Sequence, residues 1–182
     1  MKKIVLFALL LSTFYSNAQH GDFPQNEIKY NILNTLIQAS VEIGYERFID
    51  SNQSIEGEIL FNDRINYHTE KGAREFQTSS LKIGYNYYFG KENAGSGIYA
   101  NPFFKYRWGD FIDEISVEGN PVKRVTDVSG FILGIGVGYK WNSNDKFVLG
   151  PYLNIGRNFN DESSDRFTAI EFNGGFSIGY RF

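Results

Sequence analysis

The stretch "FILGIGVGYKW", residues 131–141, alternates between two kinds of side chain along its whole length. Its odd-numbered positions are bulky and apolar: Phe131, Leu133, Ile135, Val137, Tyr139 and Trp141. The even-numbered positions are, after Ile132, small or charged: Gly134, Gly136, Gly138 and Lys140. A period of two residues is the side-chain period of a β-strand. The stretch therefore predicts a strand with one apolar face and one face of small or charged side chains.

The same two-faced pattern recurs along the chain between clusters of Gly, Asn, Asp and Ser. Together with 131–141, eight strands are predicted, the others at residues 27–36, 41–49, 54–61, 81–89, 98–108, 147–157 and a terminal run from about Phe167. Short turns at 50–53, 90–96 and 142–146 alternate with longer connections at 62–74, 109–126 and 159–166. This order is typical of transmembrane β-barrels. We therefore predict an all-β fold, an eight-stranded antiparallel up-and-down transmembrane β-barrel over residues 27–182.

Glycine indicates which face of each strand points into the barrel. Eight glycines lie opposite the large apolar residues: Gly44, Gly84, Gly134, Gly136, Gly138, Gly150, Gly156 and Gly179. Glycine weakens a strand and often marks a place of close packing. A glycine-rich face has no clear role if it points to water. In a narrow lumen it leaves space for long neighbouring side chains, so we expect the glycine face to point inward.

Charged residues share the glycine face in a balanced set. The predicted lumen network contains Glu42, Glu46, Glu56, Glu58, Lys82, Lys105, Arg107, Lys140, Glu171 and Arg181, with Glu27 and Lys29 on the same face. Charges removed from water are costly unless they are paired. We therefore expect a lumen filled by salt bridges and no wide aqueous pore. The alternative is a soluble lipocalin-like carrier of a small apolar ligand, in which the apolar face points inward and these charges face water.

The N-terminal residues predict export. Lys2 and Lys3 precede an apolar run at residues 4–11, and Ser16-Asn17-Ala18 supplies small residues before Gln19. This pattern is typical of a signal peptide, here residues 1–18, cleaved ahead of a short segment at 19–26. Cleavage removes two lysines and changes the formal charge from −3 to −5. The chain has no cysteine, so we expect neither a lipid-anchored cysteine nor disulfides, and the acidic balance does not suggest nucleic acid.

These features resemble small eight-stranded bacterial outer-membrane β-barrels of the OmpA/OmpX type. The resemblance extends over residues 27–182 and includes "YERF" (45–48) and the terminal "FSIGYRF" (176–182). It implies a monomer in the bacterial outer membrane, in contact with lipid and lipopolysaccharide. By the same resemblance the barrel-assembly machinery recognises the terminal strand through Phe176, Ile178, Tyr180 and Phe182. Ser177 stands where the family often has Gly.

The sequence offers little for catalysis, although the family includes lipid A-modifying enzymes. The only histidines are His20 and His68, and the latter has Glu70 nearby in a predicted loop. Glu56 and Glu58 are two apart on one strand face, where lumen bases are their expected partners. We predict no catalytic, cofactor-binding or metal-binding residues, and lipid A modification remains the enzymatic alternative.

Two outer connections contain features of their own. "NDESSDRF" (160–167) is acidic but lacks the spacing of an established calcium loop, so we expect a solvated turn. Residues 113–128 have β-favouring side chains on both sides of a turn cluster at 118–121. This pattern predicts a protruding hairpin within the 109–126 connection. The expected role of the protein is structural or surface interaction. An exposed hairpin edge can bind a partner by strand addition, and the alternative is a plain extracellular loop with no specific partner.

Overall fold

The computed structural model describes residues 24–66, 75–90 and 94–182 and consists almost entirely of β-structure. The predicted signal peptide and both histidines lie outside the described residues. Within the described ranges the strands are β1 Asn26–Asn31, β2 Val41–Phe48, β3 Gln53–Phe61, β4 Glu75–Tyr88, β5 Gly97–Val117, β6 Asn120–Asp127, β7 Gly130–Ser143, β8 Phe147–Asn158 and β9 Ile170–Arg181. The helices there are α1 Ile32–Gln38 and α2 Asp161–Arg166. Neither is long and apolar enough to cross a membrane.

Eight of these strands close into an antiparallel barrel, as predicted. Each barrel strand pairs with the next in chain order, and β5 pairs with β7 past the short β6. Closure comes from β9 pairing with β1, from Glu27 opposite Arg181 to Asn31 opposite Ser177. Asn26 and Phe182 extend this contact by exchanging backbone hydrogen bonds of 3.1 and 2.9 Å. The aromatic end of the sequence is thus the last part of the strand that closes the wall.

The predicted first strand, 27–36, is wrong beyond Asn31, where the chain turns into α1. The Asn31 side chain accepts a hydrogen bond from the backbone N–H of Asn34 and caps the helix. Ala39, at φ 52°, ends it in a left-handed conformation. The apolar residues of α1 are Ile32, Leu33, Leu36 and Ile37, a helical spacing that resembles strand alternation over so short a stretch.

The predicted hairpin is confirmed. β5 continues through Val117, and β6 returns alongside it, with Asp110 opposite Asp127 and Val117 opposite Asn120. Glu118 and Gly119 form the turn with φ of 51° and 83°. Positive φ at both central residues is the mark of a type I′ turn, whose twist matches that of the paired strands. Much of the predicted 109–126 loop is therefore strand.

The two faces of the wall have the predicted orientation. Leu133, Ile135 and Val137 point outward and are 52–54% exposed. A Cβ atom on Gly138 would collide with the ring of Tyr99, which occupies the lumen beside it. A carrier for apolar ligands would need the apolar face of β7 to point inward, and the observed orientation is the opposite.

The two rims of the barrel differ. One rim, the outer mouth, has α1, the 62–74 connection, the β5–β6 hairpin and α2. The other, the inner rim, has the connections 49–52, 89–96 and 144–146, and β9 ends there. Short turns at one end and longer connections at the other agree with the predicted alternation.

Candidate functional site

The lumen contains three groups of ion pairs, of which the first lies nearest the inner rim. Lys140 Nζ lies 2.9 Å from Glu27 and 2.7 Å from Glu46, and Arg181 Nε donates to Glu27 at 2.9 Å. The Tyr88 hydroxyl donates to Glu46 at 2.6 Å. All five side chains are buried, so each charge is compensated inside the protein.

A second group lies in the middle of the barrel and shares a lysine with the first. Lys29 pairs with Glu56 and also lies 3.2 Å from Glu46, which connects the two groups. Lys82 Nζ lies 2.7 Å from Glu58 and 3.1 Å from Glu56. Strand pairing positions these side chains, because Glu58 and Lys82 are opposite each other on β3 and β4.

The third group lies under the outer mouth and is centred on Arg107. Its guanidinium makes two parallel hydrogen bonds of 2.8 and 2.6 Å to Glu171, and Nε donates to Asp63 at 2.8 Å. Lys105 lies 2.9 Å from the same Asp63 carboxylate. Burial alone disfavours the charge of Asp63, but Arg107 and Lys105 outweigh that effect and hold the pKa of Asp63 well below its usual value.

Glu42 differs from the other lumen acids. Its carboxylate accepts hydrogen bonds from three neutral donors: Asn31 at 2.8 Å, Asn34 at 2.7 Å and Tyr152 at 2.6 Å. No ion pair joins it to a base among the described residues. Two of the three donors belong to the end of β1 and to α1, so Glu42 ties the helix to the wall.

The structure therefore brings together the charged residues singled out in the sequence, Glu42 excepted. Asp63 and the hydroxyls of Tyr88 and Tyr152 are network members that the sequence did not reveal. Asp63 lies just after β3 in a polar connection, where alternation no longer indicates which way a side chain points. It turns into the barrel because Lys105 and Arg107 provide compensating charge there.

Apolar residues close the lumen at the inner rim. Phe48, Tyr88 and Tyr99 form a buried cluster. Lys140 Nζ lies 5.2–6.0 Å from the centres of these three rings, and the Arg181 guanidinium lies 4.7 Å from the ring of Phe48. Contacts of this kind stabilise a cation that has little water around it. The "YERF" stretch thus supplies both an ion partner, Glu46, and part of this plug.

A second apolar cluster lies at the outer mouth. Ile65, Phe111 and Val128 are buried there, with Phe76 and Phe167 packed against them. The ring centres of Phe76 and Phe111 are 4.7 Å apart. Between the two clusters lie small cavities with room for water only. Among the described residues, the arrangement holds its charges in an interior packed by side chains.

The other sequence candidates have separate places. Ile178, Tyr180 and Phe182 of the terminal strand are exposed on the outer wall, and Phe176 pairs opposite Pro151. The acidic residues at 161–165 belong to α2 and not to a simple turn. Within the described ranges no three acidic or histidine side chains are grouped closely enough to hold a metal ion.

Comparison with known proteins yields one family and two distant structures. The model of a family described as "Protein of unknown function (DUF3575)" matches residues 4–179. No curated protein matches the sequence.

Among solved structures, the N-terminal β-barrel domain of Pseudomonas aeruginosa OprF is 12% identical, with a TM-score of 0.47, over 88% of this chain and 98% of that one. Neisserial surface protein A is 11% identical, with a TM-score of 0.41, over 87% and 95%.

Proposed function

The chain belongs to the DUF3575 family of proteins of unknown function, and we propose that it is an integral β-barrel of a bacterial outer membrane. Its lumen is a packed polar core, and it acts as a structural or surface-interaction protein through its outer mouth. It works as a monomer in contact with lipid and lipopolysaccharide, and the barrel-assembly machinery inserts it.

One observation carries this proposal: the closed wall has its apolar side chains outside and its charges inside. Large, apolar side chains are exposed on the outside of each of the eight barrel strands, including Ile28, Ile43, Ile59, Ile83, Phe104, Leu133, Ile135, Leu153, Ile155, Phe172 and Ile178. Soluble monomers rarely expose apolar patches larger than a few hundred Å². A closed barrel also satisfies its backbone groups without water, which a lipid environment requires.

Aromatic residues near the two rims support the same placement. Trp108 stacks on Tyr106 toward the outer end of β5, and Trp141 packs against Tyr139 toward the inner end of β7. Both tryptophans are exposed on the outer wall. Amphipathic rings of this kind are enriched where a membrane meets water.

The surface-interaction role is supported by the hairpin. It extends past the barrel wall, and Val117, Val122 and Val125 are exposed on it. Pro121 and Lys123 lie on β6. Proline and lysine on an edge strand oppose nonspecific pairing with strands of other molecules. We propose that an extracellular partner binds this hairpin.

Membrane placement is tested by an arginine on the apolar wall. Ile135→Arg puts a charge near the middle of β7, and we expect it to lower the free energy of unfolding by about 2–4 kcal/mol. Folded and unfolded barrel are separated by gel migration with and without boiling, after membrane fractionation. Val122→Arg is the matched control, because the same charge on the hairpin lies outside the bilayer. Extraction of the unmodified protein by plain buffer, or equal effects of both variants, would refute the proposal.

Partner binding is tested by shortening the hairpin. Replacing residues 112–125 with Asn-Gly leaves the Phe111–Thr126 pair to end the strands in a two-residue turn. We expect normal insertion and loss of cell adhesion. Normal adhesion by a correctly inserted variant would exclude the hairpin as the binding surface while leaving the membrane assignment intact.

A further inference from the structure

One part of the barrel wall contains a helix where a paired strand would complete it. Pairing of β1 with β9 ends at Asn31 and Ser177, although β9 extends up to Ile170. On the other side, pairing of β1 with β2 ends at Tyr30 and Ile43, although β2 begins at Val41. The helix α1 occupies this gap. We call α1 and its contacts with β9 residues 170–176 the α1 seam.

The helix has the polarity of a membrane-barrel wall. Leu36 and Ile37 point outward and are 78% and 59% exposed, while Asn34 and Gln38 point inward and are 2% and 5% exposed. A short helix on the surface of a soluble protein would have the reverse arrangement. The α1 seam therefore faces the bilayer if the barrel is in a membrane.

Side-chain amides hold the α1 seam together. Asn34 Nδ2 donates to Asn173 Oδ1 at 3.1 Å. Higher up, Asn66 Nδ2 donates to the carbonyl of Ile170 at 3.1 Å, and Asn66 Oδ1 accepts from the N–H of Phe172 at 2.6 Å. The Asn66 amide thus replaces the peptide group of a neighbouring strand. By contrast, β4 and β5 pair as strands from Glu75 opposite Ile112 down to Tyr88 opposite Tyr99.

A polar cavity lies directly behind α1. It is lined by Asn34, Gln38, Ser40, Glu42, Asp63, Arg64, Phe172 and Asn173. Two of these residues each have a buried side-chain atom with no hydrogen-bond partner among the described residues: the acceptor Asn34 Oδ1 and the donor Arg64 Nε. Buried polar atoms without partners are rare and call for an explanation. A group that accepts from a guanidinium and donates to an amide oxygen would satisfy both.

We propose that the α1 seam is a lateral gate through which an amphiphile of the membrane reaches this cavity. A hydroxyl of its head group accepts from Arg64 and donates to Asn34, while its acyl tail stays in the bilayer beside the apolar face of α1. The cavity has room for water alone with α1 in its present position, so α1 moves outward when the gate opens. This inference rests on the proposed membrane placement.

Single cysteines test the gate, because the chain has none of its own. Asn173→Cys places a thiol behind α1. Ser80→Cys is the control, since Ser80 also faces the lumen, but from a strand paired on both sides. The probe is a phospholipid with a maleimide on its head group, in vesicles that contain the full chain. Labelling of each unfolded variant in urea corrects for intrinsic reactivity.

We expect the lipid maleimide to label Asn173→Cys at least about tenfold faster than Ser80→Cys, because opening a seam without a strand ladder requires less free energy than opening a complete ladder. Adding Asn66→Ala should raise the rate further. A charged, membrane-impermeant maleimide distinguishes the route. Faster labelling by this reagent than by the lipid would assign access to the outer mouth and overturn the proposal.

Equal labelling of the two cysteines by the lipid reagent would also overturn it. Heat-modifiable gel migration of both variants in the same vesicles shows whether membrane insertion itself has failed, which would refute the proposed function instead. If Asn173→Cys does not fold, Ser40→Cys lines the same cavity and takes its place.

Discussion

The lumen and the hairpin each contain a buried ion shared between two partners, but only the partners in the hairpin are partly exposed to water. In the lumen, Arg107 lies between Asp63 and Glu171. At the base of the hairpin, Asp113 lies between Arg124 and Arg166. The Arg107 side chain is completely buried, whereas the side chains of Arg124 and Arg166 are 37% and 30% exposed.

The difference in exposure decides what each cluster contributes. Water screens the two arginines of the hairpin cluster, so each of their pairs with the buried Asp113 contributes less than a fully buried pair. Arg107 has lost its water, so Asp63 and Glu171 must compensate its charge. Loss of Arg107 therefore leaves buried carboxylates without compensation, whereas loss of one hairpin arginine leaves Asp113 paired with the other.

The largest effect is expected from Arg107→Met. Removing one partner of a buried pair leaves a charge without compensation and costs about 3–5 kcal/mol. The free energy of unfolding, from urea titration in lipid vesicles followed by tryptophan fluorescence, should fall by that amount.

A paired variant isolates the cause of this loss. Arg107→Met with Glu171→Leu removes one charge of each sign, so it should recover part of the lost stability. If Arg107→Met alone unfolds like the unchanged protein, the contrast between the two clusters is wrong.

Lowering the pH is expected to have an intermediate effect on the free energy of unfolding. The pKa of Asp63 is lower in the folded state than in the unfolded chain, where it is about 3.9. The charge of Asp63 therefore stabilises the fold at pH values above that unfolded pKa. This contribution is lost as pH falls from about 5 toward 1. Comparing the unchanged protein with Asp63→Asn isolates it: the stability difference should be largest near neutral pH and shrink on acidification. If the stability difference between the unchanged protein and Asp63→Asn does not change with pH, the charge of Asp63 does not cause that difference.

The smallest effect is expected from Arg124→Ala. Its side chain is partly in water, and Arg166 still pairs with Asp113 after the change. The free energy of unfolding should remain the same within error in the same urea titration. A loss comparable to that of Arg107→Met would show that the hairpin cluster is shielded from solvent in the membrane-bound protein.

The strands, their outward faces and the hairpin could be predicted because each depends on the order of side chains within a short stretch of sequence. The alternation at 131–141 predicted both the strand and its outward face, and the turn cluster at 118–121 predicted the hairpin. The helix α1 was missed because residues 32–37 are too few to separate a helical period from a strand period. Asp63 was missed because no periodicity governs a connection.

The sequence by itself determined the eight-stranded barrel and the placement of apolar side chains outside and charges inside, since successive side chains of a strand point to opposite faces. Only the tertiary structure decided which charges meet. Lys140 reaches Glu27, more than a hundred residues away, while Glu42 is bonded by neutral donors. Partners across a lumen depend on how strands far apart in the chain are staggered around the barrel, and that stagger is a property of the closed wall.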